Sequence, residues 1–87
     1  MTLSYTTRQE GARLLASADH RGYLIEVATA WDTNTDRCKV HLYLTNPEGA
    51  RSMLRSWDGD YHTEAIAIEA GMQAGEAHVD ALASQQP

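Results

Sequence analysis

The segment Thr63–Ala83 (TEAIAIEAGMQAGEAHVDALA) constrains the fold of this chain more than any other. Ile68, Met72, Val79 and Leu82 fall at helical steps with Gly75 on the same side, the spacing that lines one face of an α-helix. Glu69, Gln73, Glu76 and Asp80 follow the same steps on another side. The segment therefore reads as an amphipathic helix with one packing face and one acidic face. Gly71 and Gly75 lie one turn apart, and glycine inside a helix costs about 1 kcal/mol relative to alanine. Their presence predicts a close approach to a neighbouring layer, filled by large residues such as Trp31, Leu42 or Trp57. A helix–helix contact across a dimer is the other reading of that spacing.

The layer has to come from upstream. Gly22–Asp32 (GYLIEVATAWD) alternates with a period of two, placing Tyr23, Ile25, Val27, Thr29 and Trp31 on one side. Arg37–Thr45 (RCKVHLYLT) does the same, with Cys38, Val40, Leu42 and Leu44 opposite Lys39, His41, Tyr43 and Thr45. Thr33–Asp36 is polar and turn-forming, so the two runs predict an antiparallel hairpin.

Two segments admit two readings each. Asn46-Pro47 could cap a helix carrying Ala50, Met53, Leu54 and Trp57. The favoured reading makes Asn46–Gly49 a tight turn and Ala50–Trp57 a third strand with Met53, Arg55 and Trp57 on one face, because a two-stranded hairpin is a poor platform for a long helix. Near the N-terminus, Thr7-x-x-Glu10 has capping-box spacing, and Ala12, Leu14, Leu15 and Ala18 follow. The expectation over 7–18 is a short helix, with an edge strand at Arg13–Ser17 as the alternative. Glu10–Tyr23 and Glu48–Tyr61 both open on Glu-Gly-Ala-Arg and end on Tyr, an echo too short to mark a repeat architecture.

At 87 residues the chain is read as one domain over 1–87, with a frayed tail at about 84–87. Cys38 is the only cysteine, which excludes an internal disulfide and suits a reducing compartment. The N-terminus lacks the pattern of a secretory signal, and no apolar run approaches the roughly 20 residues of a membrane span. A cytoplasmic location is expected. The net charge of −5 is uneven: residues 56–87 contain no Lys or Arg and six acids, Asp58, Asp60, Glu64, Glu69, Glu76 and Asp80. That surface repels phosphate backbones and favours a basic partner.

Chemistry-bearing patterns are sparse. Asp32-x-Asn34-x-Asp36 opens like a calcium loop, but the sixth position is Arg37 and the twelfth Tyr43, so a polar turn is the reading. Asp58-x-Asp60-x-His62, with His78 approaching from the helix, offers oxygen and imidazole ligands suited to a divalent metal; a turn and helix cap explain the same residues. Cys38 and His41 would point to opposite faces of a strand, which argues against a nucleophile pair. No catalytic or cofactor fingerprint is present. Neither an enzyme nor a bound cofactor is expected.

The order helix, three strands, helix resembles the double-stranded RNA-binding domain in arrangement only. The position where that family carries a lysine cluster reads Tyr61-His62-Thr63-Glu64-Ala65 here, and the first hairpin loop is acidic. A basic sheet face of Lys39, His41, Tyr43, Arg51 and Arg55 is the remaining route to nucleic acid. Tyr61-x-Thr63, Ala67, Gly71, Gly75 and Val79-Asp80, with Gly22-Tyr23 opening a strand, resemble the ending of short uncharacterised bacterial proteins built from a small β-meander and a C-terminal helix. That resemblance implies a fold and no activity.

The expected architecture is α+β: an antiparallel sheet of three strands, with a fourth allowed, a long C-terminal helix across one face and a short N-terminal helix. The expected function is a small non-catalytic protein-interaction or regulatory module. Its partner, an unidentified and basic protein, would meet Glu69, Gln73, Glu76 and Asp80, or an exposed sheet edge that also permits a homodimer. A nucleic-acid-binding accessory role is the alternative, and a metal-binding protein or enzyme the third.

Overall fold

The computed structural model describes residues 4–85. Five strands precede one helix: β1 (Thr6–Glu10), β2 (Arg13–His20), β3 (Tyr23–Asp32), β4 (Arg37–Thr45), β5 (Arg51–Gly59) and α1 (Glu64–Ser84). Each strand pairs antiparallel with the next, giving a five-stranded meander in sequence order. The class is α+β, and the β3–β4 hairpin and the C-terminal helix occupy the segments whose periodicity specifies them.

Four short turns set the registers. Gly11 has φ +62° in the two-residue turn Gly11–Ala12, the conformation a two-residue hairpin takes when only its first position is left-handed. Arg21 and Gly22 both have positive φ, the type I′ pattern that matches strand twist. Asp32 Oδ1 accepts from the Asn34 amide at 2.9 Å, tying down the β3–β4 loop as the polar turn expected there. At the last turn Asn46 Oδ1 accepts from the amides of Glu48 and Ala50, and Gly49 sits at φ +92°. The Glu-Gly-Ala-Arg echo thus has a local cause: both copies place a left-handed glycine in a hairpin turn and an arginine at the first strand position.

The expected N-terminal helix is absent; residues 7–18 form most of the β1–β2 hairpin instead. Period-two burial decides the matter: Ala16 and Ala18 are buried against the core, and Gly11 turns the chain where a helix would have had to continue. Arg13–Ser17 is not an edge strand, because β1 pairs along its outer side. The sheet therefore has more strands than the three or four expected.

Helix α1 packs on β3, β4 and β2. Thr63 caps it, its side chain accepting from the Ile66 amide at 3.2 Å, and Gln85 is the C-cap; of the frayed tail expected at about 84–87, residues 86–87 lie outside those described. Its buried residues are Ala67, Ile68, Gly71, Met72, Gly75 and Val79, which meet Ile25, Val27, Val40 and Leu42 of the sheet. A Cβ at Gly71 would lie 2.6 Å from Val27 Cγ1, and one at Gly75 would lie 2.6 Å from Ile25 Cγ2 and 3.2 Å from Leu42 Cδ1. Of the large residues expected at these notches, Leu42 is there, while Trp31 and Trp57 are only partly buried and pack against the core. Thr29, the one buried polar side chain among the described residues, donates to the Leu14 carbonyl at 3.3 Å.

Strand β5 departs from simple alternation. A bulge at Leu42/Tyr43 leaves Leu54 without a cross-strand partner, so Met53 opposes Tyr43 on one face while Arg55 and Trp57 oppose Leu42 and Val40 on the other. Met53, Arg55 and Trp57 therefore do not share a face as the unbroken strand would require.

Candidate interaction surfaces

The acidic stripe of α1 divides into two halves. Glu69 and Gln73 are exposed, whereas Glu76 and Asp80 are only partly so. Asp80 Oδ1 accepts from His20 Nε2 at 2.7 Å and from Arg21 Nε at 2.8 Å, joining the helix to the β2–β3 turn. The hydrogen bond from His20, followed by that from Arg21, lowers the Asp80 pKa below the ordinary carboxylate value. Asp80 is thus a tie within the fold. His20, its partner, lies sixty residues away, and nothing local in the sequence announces the pair.

The ligand atoms of His20, Glu76 and Asp80 lie within 4.8 Å of one another. Among the described residues this is the group whose spacing could hold a metal ion. The Arg21 guanidinium already occupies the Asp80 oxygen that His20 also uses, so a cation entering there would break those hydrogen bonds and face the Arg21 charge. Asp58, Asp60 and His62, the set drawn from sequence spacing, do not form such a group: Asp58 projects from β5 beside Lys39 at 3.8 Å, and Asp60 and His62 are exposed in the connection to α1.

The sheet face away from the helix has no secondary-structure layer over it among the described residues. Strand registers arrange it in rungs. One reads Glu10, Arg13, Ala30, Lys39, Asp58; the next Arg8, Leu15, Ala28, His41, Ser56; the next Thr6, Ser17, Glu26, Tyr43, Met53; the last Asp19, Leu24, Thr45, Arg51. The basic residues expected on this face are there except Arg55, which the bulge turns to the other side, where its guanidinium lies 4.8 Å from the Trp57 ring. Acids match the bases: Arg51 Nε donates to Glu26 Oε1 at 3.0 Å, and Arg8 and Lys39 lie near Glu10 and Asp58. Burial, then Arg13 and Lys39, lower the His41 pKa, with Asp58 opposing, so the imidazole is neutral at pH 7.

A depression of about 260 Å³ opens on this face above Leu15 and Ala28. Thr6 and Arg8 line one side, and Glu26, Tyr43 and Arg51 the other. Met53 beside it is 53% exposed, one of two large apolar side chains in that state among the described residues; the other is Ile66 on the first turn of α1. Cys38 faces the helix layer, fully buried, while His41 faces the opposite way. Burial, with the Glu64 carboxylate adding, raises the Cys38 thiol pKa, so it is neither paired with His41 nor activated.

No helix among the described residues is long and apolar enough to cross a membrane. No family model, curated protein or solved structure matches this chain.

Proposed function

We propose that this chain is a small non-catalytic protein-interaction module that works through its open sheet face. The observation that carries this reading is the asymmetry of the sheet: the helix lies across one side, and the other presents Leu15 and Tyr43 in the wall of a depression, with Leu24 and the half-exposed Met53 elsewhere on the same face. Antiparallel sheets tolerate one solvated face, but such faces are ordinarily polar. The edges are poorer docking sites. Strand β1 is short and carries Arg8 and Glu10, and β5 is bulged and carries Arg51, Arg55 and Asp58, the devices that discourage strand addition. A photo-cross-linking residue at Met53 is expected to trap a partner in cells of the source organism, and one at Gln73 is not. Trapping at Gln73 alone would overturn the assignment of the face.

A second contact surface, the outer stripe of α1, is favoured by the exposure of Glu69 and Gln73 and by the absence of Lys and Arg from residues 56–87. It fits a basic partner. Lysine at Glu69 and Glu76 would weaken that complex and spare folding; Asp80 is left out of this test because of its tie to His20 and Arg21. The nucleic-acid reading draws less support, since Arg51 and Lys39 stand beside acids and His41 is held neutral.

A further inference from the structure

We propose that the depression over Ala28 is a binding site for a small amphipathic carboxylate, a ligand with an apolar body and one anionic end. This goes beyond the partner-binding reading and needs no protein partner. The site has a floor and two rims. The floor is apolar, formed by Leu15 and Ala28, where alanine on the central strand leaves room that a larger residue would fill. The rims each carry a guanidinium. Arg8 rises from β1, and Arg51 reaches from β5 over the Tyr43 ring, 4.2 Å from its centroid, to Glu26 on β3.

The guanidinium donors at the site are what select the ligand. Two arginines line the depression against one acid, Glu26. Arg51 spends Nε on Glu26, and Arg8 offers Nη2 to Glu10 at 3.3 Å. A guanidinium has five N–H donors, so both retain donors for an entering carboxylate. The hydroxyls of Thr6 and Ser17, 3.4 Å apart on the same side, add neutral donors. Glu26 beside Arg51 and Glu10 beside Arg8 balance the two arginines, so the attraction rests on the directed N–H donors that remain and not on net charge, which excludes a polyanion. The volume of about 260 Å³ falls below the ~300–1,000 Å³ range of pockets for larger organic ligands, so the ligand is small. The Tyr43 ring and the Leu15 side chain supply the contact for its apolar part.

The test is a pair of isosteric probes of opposite charge, phenylacetate and phenethylamine, titrated into the full chain and followed by backbone and methyl chemical shifts. Phenylacetate is expected to give saturable shifts at Leu15, Ala28 and Tyr43, and phenethylamine none there. Arg51→Gln should weaken phenylacetate binding about tenfold, the loss of one charge-assisted hydrogen bond. Ala28→Leu should abolish it by filling the floor while the dispersed spectrum persists. Absence of saturable shifts with phenylacetate, equal shifts with the amine, or unchanged binding in Ala28→Leu would each overturn the proposal. Failure here leaves the cross-linking result at Met53 untouched, so the two readings stand or fall separately.

Discussion

The two faces of one sheet are built from alternate residues of the same strands, yet they do different work. Toward the helix, β3 and β4 present Ile25, Val27, Val40 and Leu42, each at most 1% exposed and each packed to the helix backbone at Gly71 or Gly75. Away from it, the intervening residues are Glu26, Ala28, His41 and Tyr43, with charges matched across rungs and a depression left at the centre. A period of two lets a strand serve stability and recognition at once, with no residue needed for both. In a chain this small, that separation would keep the proposed binding face from eroding the core.

The sharpest break in the comparison is truncation. Ile25→Ala or Leu42→Ala should cost about 2–5 kcal/mol, because the helix above cannot collapse into the space. Met53→Ala, equally apolar but on the open side, should stay within about 0.5 kcal/mol. Denaturant melts of the three variants check this, and similar losses for all would show that the open side is also core. Enlargement sharpens the contrast. Gly71→Leu drives a side chain into Val27 and Val40 and should cost about 1–3 kcal/mol or more through overpacking. Ala28→Leu enters open space and should leave the melting temperature nearly unchanged.

Much of this division is legible in the residues, and the exceptions have causes. The β3–β4 hairpin and α1 read cleanly because their periods are unbroken over eight or more residues and their large aliphatic side chains agree, Leu24 and Ile66 excepted. The β1–β2 hairpin does not, since Thr7-x-x-Glu10 offers helix-capping chemistry and Leu14, Leu15 and Ala18 fall at helical steps. Gly11 was the discriminating signal: glycine at the first position of a two-residue turn. The β5 bulge is hidden too: Leu54 packs against the core and the next residue, Arg55, opposes Leu42 on that same side, a break in alternation that no residue type announces. The acidic stripe of α1 is visible as a pattern, but its inner end is not free, and only the long-range register that sets the β2–β3 turn beside the helix shows that Asp80 is taken by His20 and Arg21. The depression over Ala28 has no local signature, because it depends on which residues five registers bring side by side.

Titration offers a gentler contrast. The His41 pKa is depressed, so the unfolded chain binds the proton first; stability should begin to fall as pH drops below about 6.5 and continue until the folded imidazole also protonates. The Cys38 pKa is raised, so the unfolded thiol ionises first; stability should decline above about pH 9, and the native thiol should react slowly with aromatic disulfide reagents. Thermal melts across pH, compared with His41→Asn and Cys38→Ala, separate the acid limb from the alkaline one. A flat profile in the variants and wild type alike would remove both assignments. The smallest effect belongs to Asp80→Asn. Its depressed pKa means that its contribution is present above about pH 4 and lost as pH falls through the folded value, so wild type and variant melts should converge in acid.

The most direct measurement of the division itself is solvent paramagnetic relaxation of methyl groups in the free chain. The account predicts strong relaxation at Leu15, Leu24 and Met53, with Ile25, Val27, Leu42 and Val79 protected. Protection of both sets alike would mean that the second face is sealed, and would contradict the reading of that face as the one left free to bind.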